Sequence, residues 1–266
     1  MARIRILSYL GFLALAGITA CGGATSAGAD GATPGGAAPG GATPGGAASP
    51  SAVPPTPTDA ATPAETPSET AKPEPTGPPP FTAKIQKVTR ADLPKSWRSG
   101  CPVPPARLRM IVMSHWGFDD KVHTGRLVVH EDVADEVVSI FKKLYAQRYP
   151  IRRMEPVDKY DGDDYRSIDA DNTSAFNCRP ATGSGNWSKH AYGKAIDLNP
   201  RENPWVNADG SNSHRNADAY VTRPLKKPGV INPGDRVVKT FAAEGWEWGG
   251  YWSGAKDYQH FSKGGG

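Results

Sequence analysis

SKHAYGKAIDLNP, residues 188–200, sets a histidine and an aspartate seven positions apart, with Gly193 and Ala195 between them. The stretch follows a polar loop, TGSGNW, and closes in AIDLNP, which reads as a short strand. A glycine at 193 lets the chain turn, so that His190 on a loop comes beside Asp197 on a strand. Such a pair is either half of a metal site or an ordinary strand that carries a histidine and an aspartate. Choosing between these takes a third ligand, a base and a compartment.

The compartment is readable from the amino-terminal end. MARIRILSYLGFLALAGITAC has Arg3 and Arg5 ahead of an apolar run from Leu7 to Ala16, too short to span a bilayer, and residues 1–20 read as a secretory signal peptide. Its last residues, ITAC, resemble the bacterial lipobox, which makes Cys21 the expected lipidation site. Residues 21–80 are expected to form a disordered tether: 52 of the 59 residues from Gly22 to Pro80 are Ala, Gly, Pro, Thr or Ser, and none is aromatic. A coil of that length spans roughly 45 Å. Residues 81–266 hold all 7 tryptophans and are long enough for one domain with a core. The net charge of +4 divides into +2 for the leader, −4 for the tether and +6 for the domain. The basic residues are scattered, so no nucleic-acid partner is expected, whereas an anionic wall polymer is compatible. Export also suits Cys101 and Cys178, the remaining even pair. A bridge between them would stabilise the fold by roughly 4 kcal/mol through loop closure; two reduced core thiols are the alternative.

Patterning predicts an α+β domain, a small, mostly antiparallel sheet flanked by a few helices. Strands are expected at 107–116, 125–130, 151–160, 195–200 and in DYQHFS (257–262). Helices are expected from 131 to the residues before Pro150, with Val133, Val137, Ile140, Phe141 and Leu144 on one face, and at GDRVVKTFAAEGW, capped by Asp235 and ended by Gly245. Residues 161–187 and 201–232 read as loops.

A catalytic zinc takes three protein ligands and leaves one position for water. Spacing alone does not choose among His115, His123, His130, His190, His214 and His260. Context favours His260, because Asp257 precedes it by three residues, and such a pair can divide into ligand and base.

SKHAYGKAID resembles the S-x-H-x-x-G-x-A-x-D signature of zinc D-alanyl-D-alanine carboxypeptidases and of the related L-alanyl-D-glutamate endopeptidases. DYQH is similar to the family's later D/E-x-x-H, and YRS (165–167) to its upstream G-Y-R-S, with Asp164 in place of the glycine. KVHTGRLVV, NTSAFNCR and EGWEWGGYW resemble the endopeptidase-type branch. The resemblance implies one zinc ion held by His190, Asp197 and His260. It further implies Asp257 as the base for the attacking water, Arg166 on the carbonyl oxygen and Ser188 on the substrate. Glu244 and Glu247 compete as bases but stand outside the family's position. Trp246, Trp248, Tyr251 and Trp252 are expected mainly in the core, with Trp248 at the cleft.

The expectation is therefore an exported, lipid-anchored, monomeric zinc peptidase that acts on peptidoglycan stem peptides outside the cytoplasmic membrane. Carboxypeptidase and endopeptidase cleavage both stay open. A non-catalytic wall-binding module with structural zinc is the alternative from another class.

Overall fold

The computed structural model describes residues 77–265. The expected signal segment, Cys21 and the tether up to residue 76 lie outside the described residues. The described chain is α+β. Strands β1 (Ala83–Lys87), β2 (Leu108–Trp116) and β3 (Val122–His130) form an antiparallel sheet in that order. β1 carries almost no buried side chain, so the sequence offered no alternation to read there. Helix α1 (Ala134–Ala146) packs on β2, and the expected stripe of Val133, Val137, Ile140, Phe141 and Leu144 is buried against Ile111, Met113 and Leu127.

β4 (Arg153–Met154), helix α2 (Asp164–Asp169) and β5 (Asn172–Thr173) follow, with β4 and β5 paired in parallel. Two expectations change here. The strand expected at 151–160 is only two residues long, because the chain turns at Pro156 into a tight helical turn at Val157–Tyr160. The loop expected at 161–187 contains α2, whose first turn is held by the Asp163 side chain accepting from the Arg166 amide.

A second sheet surrounds the signature. β6 (Ala195–Asp197) leads through β7 (Trp205–Val206) and helix α3 (Arg236–Ala242) to β8 (Trp246–Trp248), β9 (Lys256–Asp257) and β10 (His260–Lys263). β10 lies between β6 and β8, antiparallel to both. α3 is capped by Asp235 as expected, and Gly245 takes φ +74° after it. The single strand expected in DYQHFS is two strands. Asp257 pairs with Trp205 on β7, and His260 with Asp197 on β6, because the backbone between them bonds to different neighbours: Tyr258 N–H to Pro204 O, and Gln259 O to Leu198 N–H. One core joins both sheets, from Ile111 and Phe141 to Phe241 and Phe261, whose rings stack at 3.8 Å.

Two links hold the loops around this core. Cys101 and Cys178 are bonded across 77 positions, beside a smaller core that includes Leu93, Leu108 and Phe176. Past β6, Glu202 is buried against Arg201, whose Nε lies 3.0 Å from Glu202 Oε1, and near Asp171. Burial and the Asp171 carboxylate push Glu202 up to about 7, with Arg201 opposing. Asn203 closes the same loop by donating to Leu198 O, Asn199 O and Gly229 O.

Both links are testable. Replacing Cys101 and Cys178 together by serine should lower unfolding free energy in urea by roughly 4 kcal/mol; a change below about 1 kcal/mol would show that the bridge contributes little. Glu202 holds its proton more tightly when folded, so its favourable contribution is complete below the unfolded value and lost as pH rises through about 7. Glu202→Gln should therefore melt a few degrees higher than the parent at pH 8, with the gain shrinking toward pH 5; a gain independent of pH would contradict the assignment.

Candidate metal centre

Each fixed position of the ten-residue signature has a structural task. Ser188 opens a tight helical turn (Lys189–Tyr192), its side chain accepting from the His190 amide at 3.2 Å. Gly193 ends the turn at φ +65°, where a Cβ would come within 2.6 Å of the His130 nitrogen, so only glycine fits. Ala195 is fully buried in β6 opposite Ser262. Asp197 ends β6 with its backbone tied to Ser174 in both directions.

His190, Asp197 and His260 come together, all buried, each offering one ligand atom within 4.8 Å of the others. His190 Nε2 is 3.2 Å from Asp197 Oδ2 and 3.2 Å from His260 Nδ1, which is 3.1 Å from Asp197 Oδ1. His190 Nδ1 lies 2.6 Å from the Ala175 carbonyl, which can only accept. That nitrogen therefore carries the proton, and the Nε2 lone pair faces the cluster. Donors about 2.0–2.1 Å from a tetrahedral ion such as zinc sit about 3.3 Å from one another, so the spacing fits. Two imidazole nitrogens and one carboxylate are also a donor set suited to that ion.

Asp257 lies beside the cluster, Oδ2 being 3.9 Å from His260 Nδ1. Its Oδ1 is buried with no hydrogen-bond partner among the described residues. Gly249 lets the chain pass close by, since a Cβ there would sit 2.6 Å from the Asp257 carbonyl oxygen and 3.3 Å from His260 Cβ. The two carboxylates diverge. Burial pushes Asp257 up to about 7, with Asp197 adding to the effect. Burial also opposes the Asp197 anion, yet His190 and His260 hold its pKa far below the carboxylate range. In His190 burial is outweighed by the Asp197 charge, and the imidazole pKa is raised.

The cluster opens into a cleft of about 790 Å³. Ser188, Asp257, Arg179, Trp205, Trp252 and a Tyr165–His214 stack line it. Two expected site residues lie elsewhere. Arg166 is absent from the cleft lining; its side chain is 61% exposed and pairs with Asp161 at 2.7 Å. Trp248 is core, donating from Nε1 to Tyr258 O at 2.8 Å, because it shares a strand face with the equally buried Trp246. Trp252 takes the position at the cleft, its ring 5.3 Å from that of His260. Of the competing bases, Glu244 pairs with Lys143 and Ser139, and Glu247 is exposed on β8. Arg179 and Trp205 went unread as site residues; the signal for Arg179 was its place directly after Cys178 in NTSAFNCR.

A protein-family model described as D-alanyl-D-alanine carboxypeptidase matches residues 182–263. Over that segment the chain is similar to a peptidase family. The matched peptidase segment contains the His190–Asp197–His260 cluster, Asp257 and Ser188. Comparison with curated proteins and with solved structures returns no match.

Cation binding needs both imidazoles neutral, and a bound cation would favour ionised Asp257. Zn²⁺ titrated into metal-free protein by calorimetry should bind with proton release, at least tenfold more weakly at pH 5.5 than at pH 7.5. Equal affinity at both pH values would exclude this cluster as the binding site.

Proposed function

We propose that the protein is a zinc-dependent peptidase that hydrolyses peptide bonds in peptidoglycan stem peptides. The single observation carrying this is a buried carboxylate, Asp257, with an unpartnered oxygen beside a two-histidine, one-aspartate cluster at the bottom of an open cleft. Structural metal sites are closed by protein ligands and need no base, whereas hydrolytic sites keep a position open. The match to D-alanyl-D-alanine carboxypeptidases supports the reaction class.

His190, Asp197 and His260 would hold the ion. Bound zinc supplies a Lewis acid that brings the pKa of water to about 7 and polarises a carbonyl. Asp257 accepts the proton of the attacking water and passes it to the leaving amine as the C–N bond breaks, so that one water is consumed and no proton is lost. Burial raises its pKa and a bound cation would draw it back down, leaving an ionised carboxylate able to take that proton. Trp252 and Trp205 give the cleft an apolar wall, and Ser188 presents its hydroxyl to the substrate while its oxygen holds the His190 turn. Cleavage of a terminal D-Ala and cleavage within the stem peptide both lie within this chemistry, and the product masses tell them apart.

The leader and lipobox-like ITAC support export and anchoring through Cys21 to the outer face of the cytoplasmic membrane. The tether then lets a monomeric domain reach the wall.

Purified zinc-loaded protein should release peptides from peptidoglycan, and Asp257→Ala should lower the rate on the order of 10² to 10⁴-fold with zinc still bound at one per chain. Mass spectrometry of the products and metal analysis of both proteins make the comparison. Undiminished cleavage by the variant would remove Asp257 from the mechanism; wild-type protein that binds the wall without cutting it would leave the non-catalytic reading in its place.

A further inference from the structure

The motif YRS placed an arginine at 166, yet the arginine that lines the cleft is on another segment. Arg179 accepts the Ser188 amide at its carbonyl (3.1 Å), next to the bridge between Pro180 and Trp187. Arg179 and Ser188 are thus neighbours beside that isolated bridge, and both line the cleft. The Arg179 side chain is 23% exposed against 61% for Arg166. Its Nε lies 2.9 Å from Asp164 Oδ1, itself 3.4 Å from Asn177 Nδ2.

Asp164 is the position where the chain departs from the family's glycine. That departure has a partner: the first residue of α2 brings a carboxylate oxygen within 2.9 Å of Arg179 Nε, an ion-pair contact without hydrogen-bond geometry, while Arg166 two residues later turns to Asp161 at the surface. The disulfide at Cys178 and the bond from Arg98 Nη1 to Cys178 O (2.7 Å) hold the backbone immediately before it.

We propose that Arg179, oriented by Asp164, meets the substrate's carbonyl oxygen as that oxygen gains negative charge, the part the sequence motif assigns to Arg166. This rests on the peptidase reading above. As water adds, the carbonyl electron pair moves onto oxygen and returns when the C–N bond breaks; Arg179 donates hydrogen bonds throughout and exchanges no proton. A guanidinium held beside a carboxylate, with Nη1 donating to Pro180 O at 3.3 Å, is positioned for this, and the loss of one such donor typically lowers the rate on the order of 10² to 10³-fold.

The test uses full-length, zinc-loaded protein and the variants Arg179→Met, Arg179→Lys, Arg166→Met and Asp164→Asn. Readouts are kcat/KM on peptidoglycan and affinity for a dipeptide phosphinate, whose tetrahedral anion mimics the charged oxygen. Arg179→Met should lower both on the order of 10² to 10³-fold with zinc content and Tm unchanged. Arg179→Lys should recover part of the loss, Asp164→Asn should reduce kcat more than it raises KM, and Arg166→Met should stay within about threefold. Loss confined to Arg166→Met, or an active wild type matched by Arg179→Met, overturns this inference alone. A wild type that neither cuts peptidoglycan nor binds the phosphinate overturns the peptidase reading and this inference with it.

Discussion

The pairing of His260 with Asp197 across β10 and β6 is the constraint on which the site depends. It places one imidazole and one carboxylate side by side from segments 63 positions apart. A one-residue slip of β10 in that register would turn His260 to the face of the sheet opposite Asp197. Sheet order guards against slippage, because β10 is held on its other edge by β8, and Phe261 is locked into the core beneath Phe241. His190 joins from outside the sheet, fixed by the Ser188 cap, the glycine turn at 193 and its hydrogen bond to Ala175.

Burial then differentiates groups that are chemically alike. Asp197 and Asp257 are both nearly inaccessible to water, yet their pKa values move in opposite directions. Asp197 sits between two imidazoles and stays ionised, as a ligand must. Asp257 has an unpartnered oxygen and its nearest opposite charge, His260, at 3.9 Å, so burial outweighs that charge and its pKa rises. Pairs of carboxylates driven apart by their surroundings are a recurrent way to assign acid–base roles. A divalent ion in the cluster would strengthen the division at Asp197 and draw Asp257 downward.

The features legible in the sequence were those with local causes. The signature is ten contiguous residues, and its cap, left-handed glycine and buried alanine are backbone requirements met within that stretch. α1 was legible because its apolar residues recur at helical spacing. What escaped depended on distant partners. DYQHFS has uniform strand character, and only its neighbours Trp205 and Asp197 divide it into two strands. YRS identified an arginine but not the side of a six-residue helix on which it would stand. Trp248 was separable from Trp252 in principle, since WEW alternates buried, exposed, buried. Arg179 was hidden because its significance lies in Asp164 and Ser188, both remote in the fold's logic though within fifteen positions.

The most direct measurement is X-ray absorption at the zinc edge on protein loaded with one equivalent of Zn²⁺. The expected spectrum shows two imidazole nitrogens with oxygen completing the coordination at about 2.0–2.1 Å, and no sulfur. A spectrum with fewer than two imidazoles, or one unchanged when His190 and His260 are both replaced, would contradict a metal centre at this cluster.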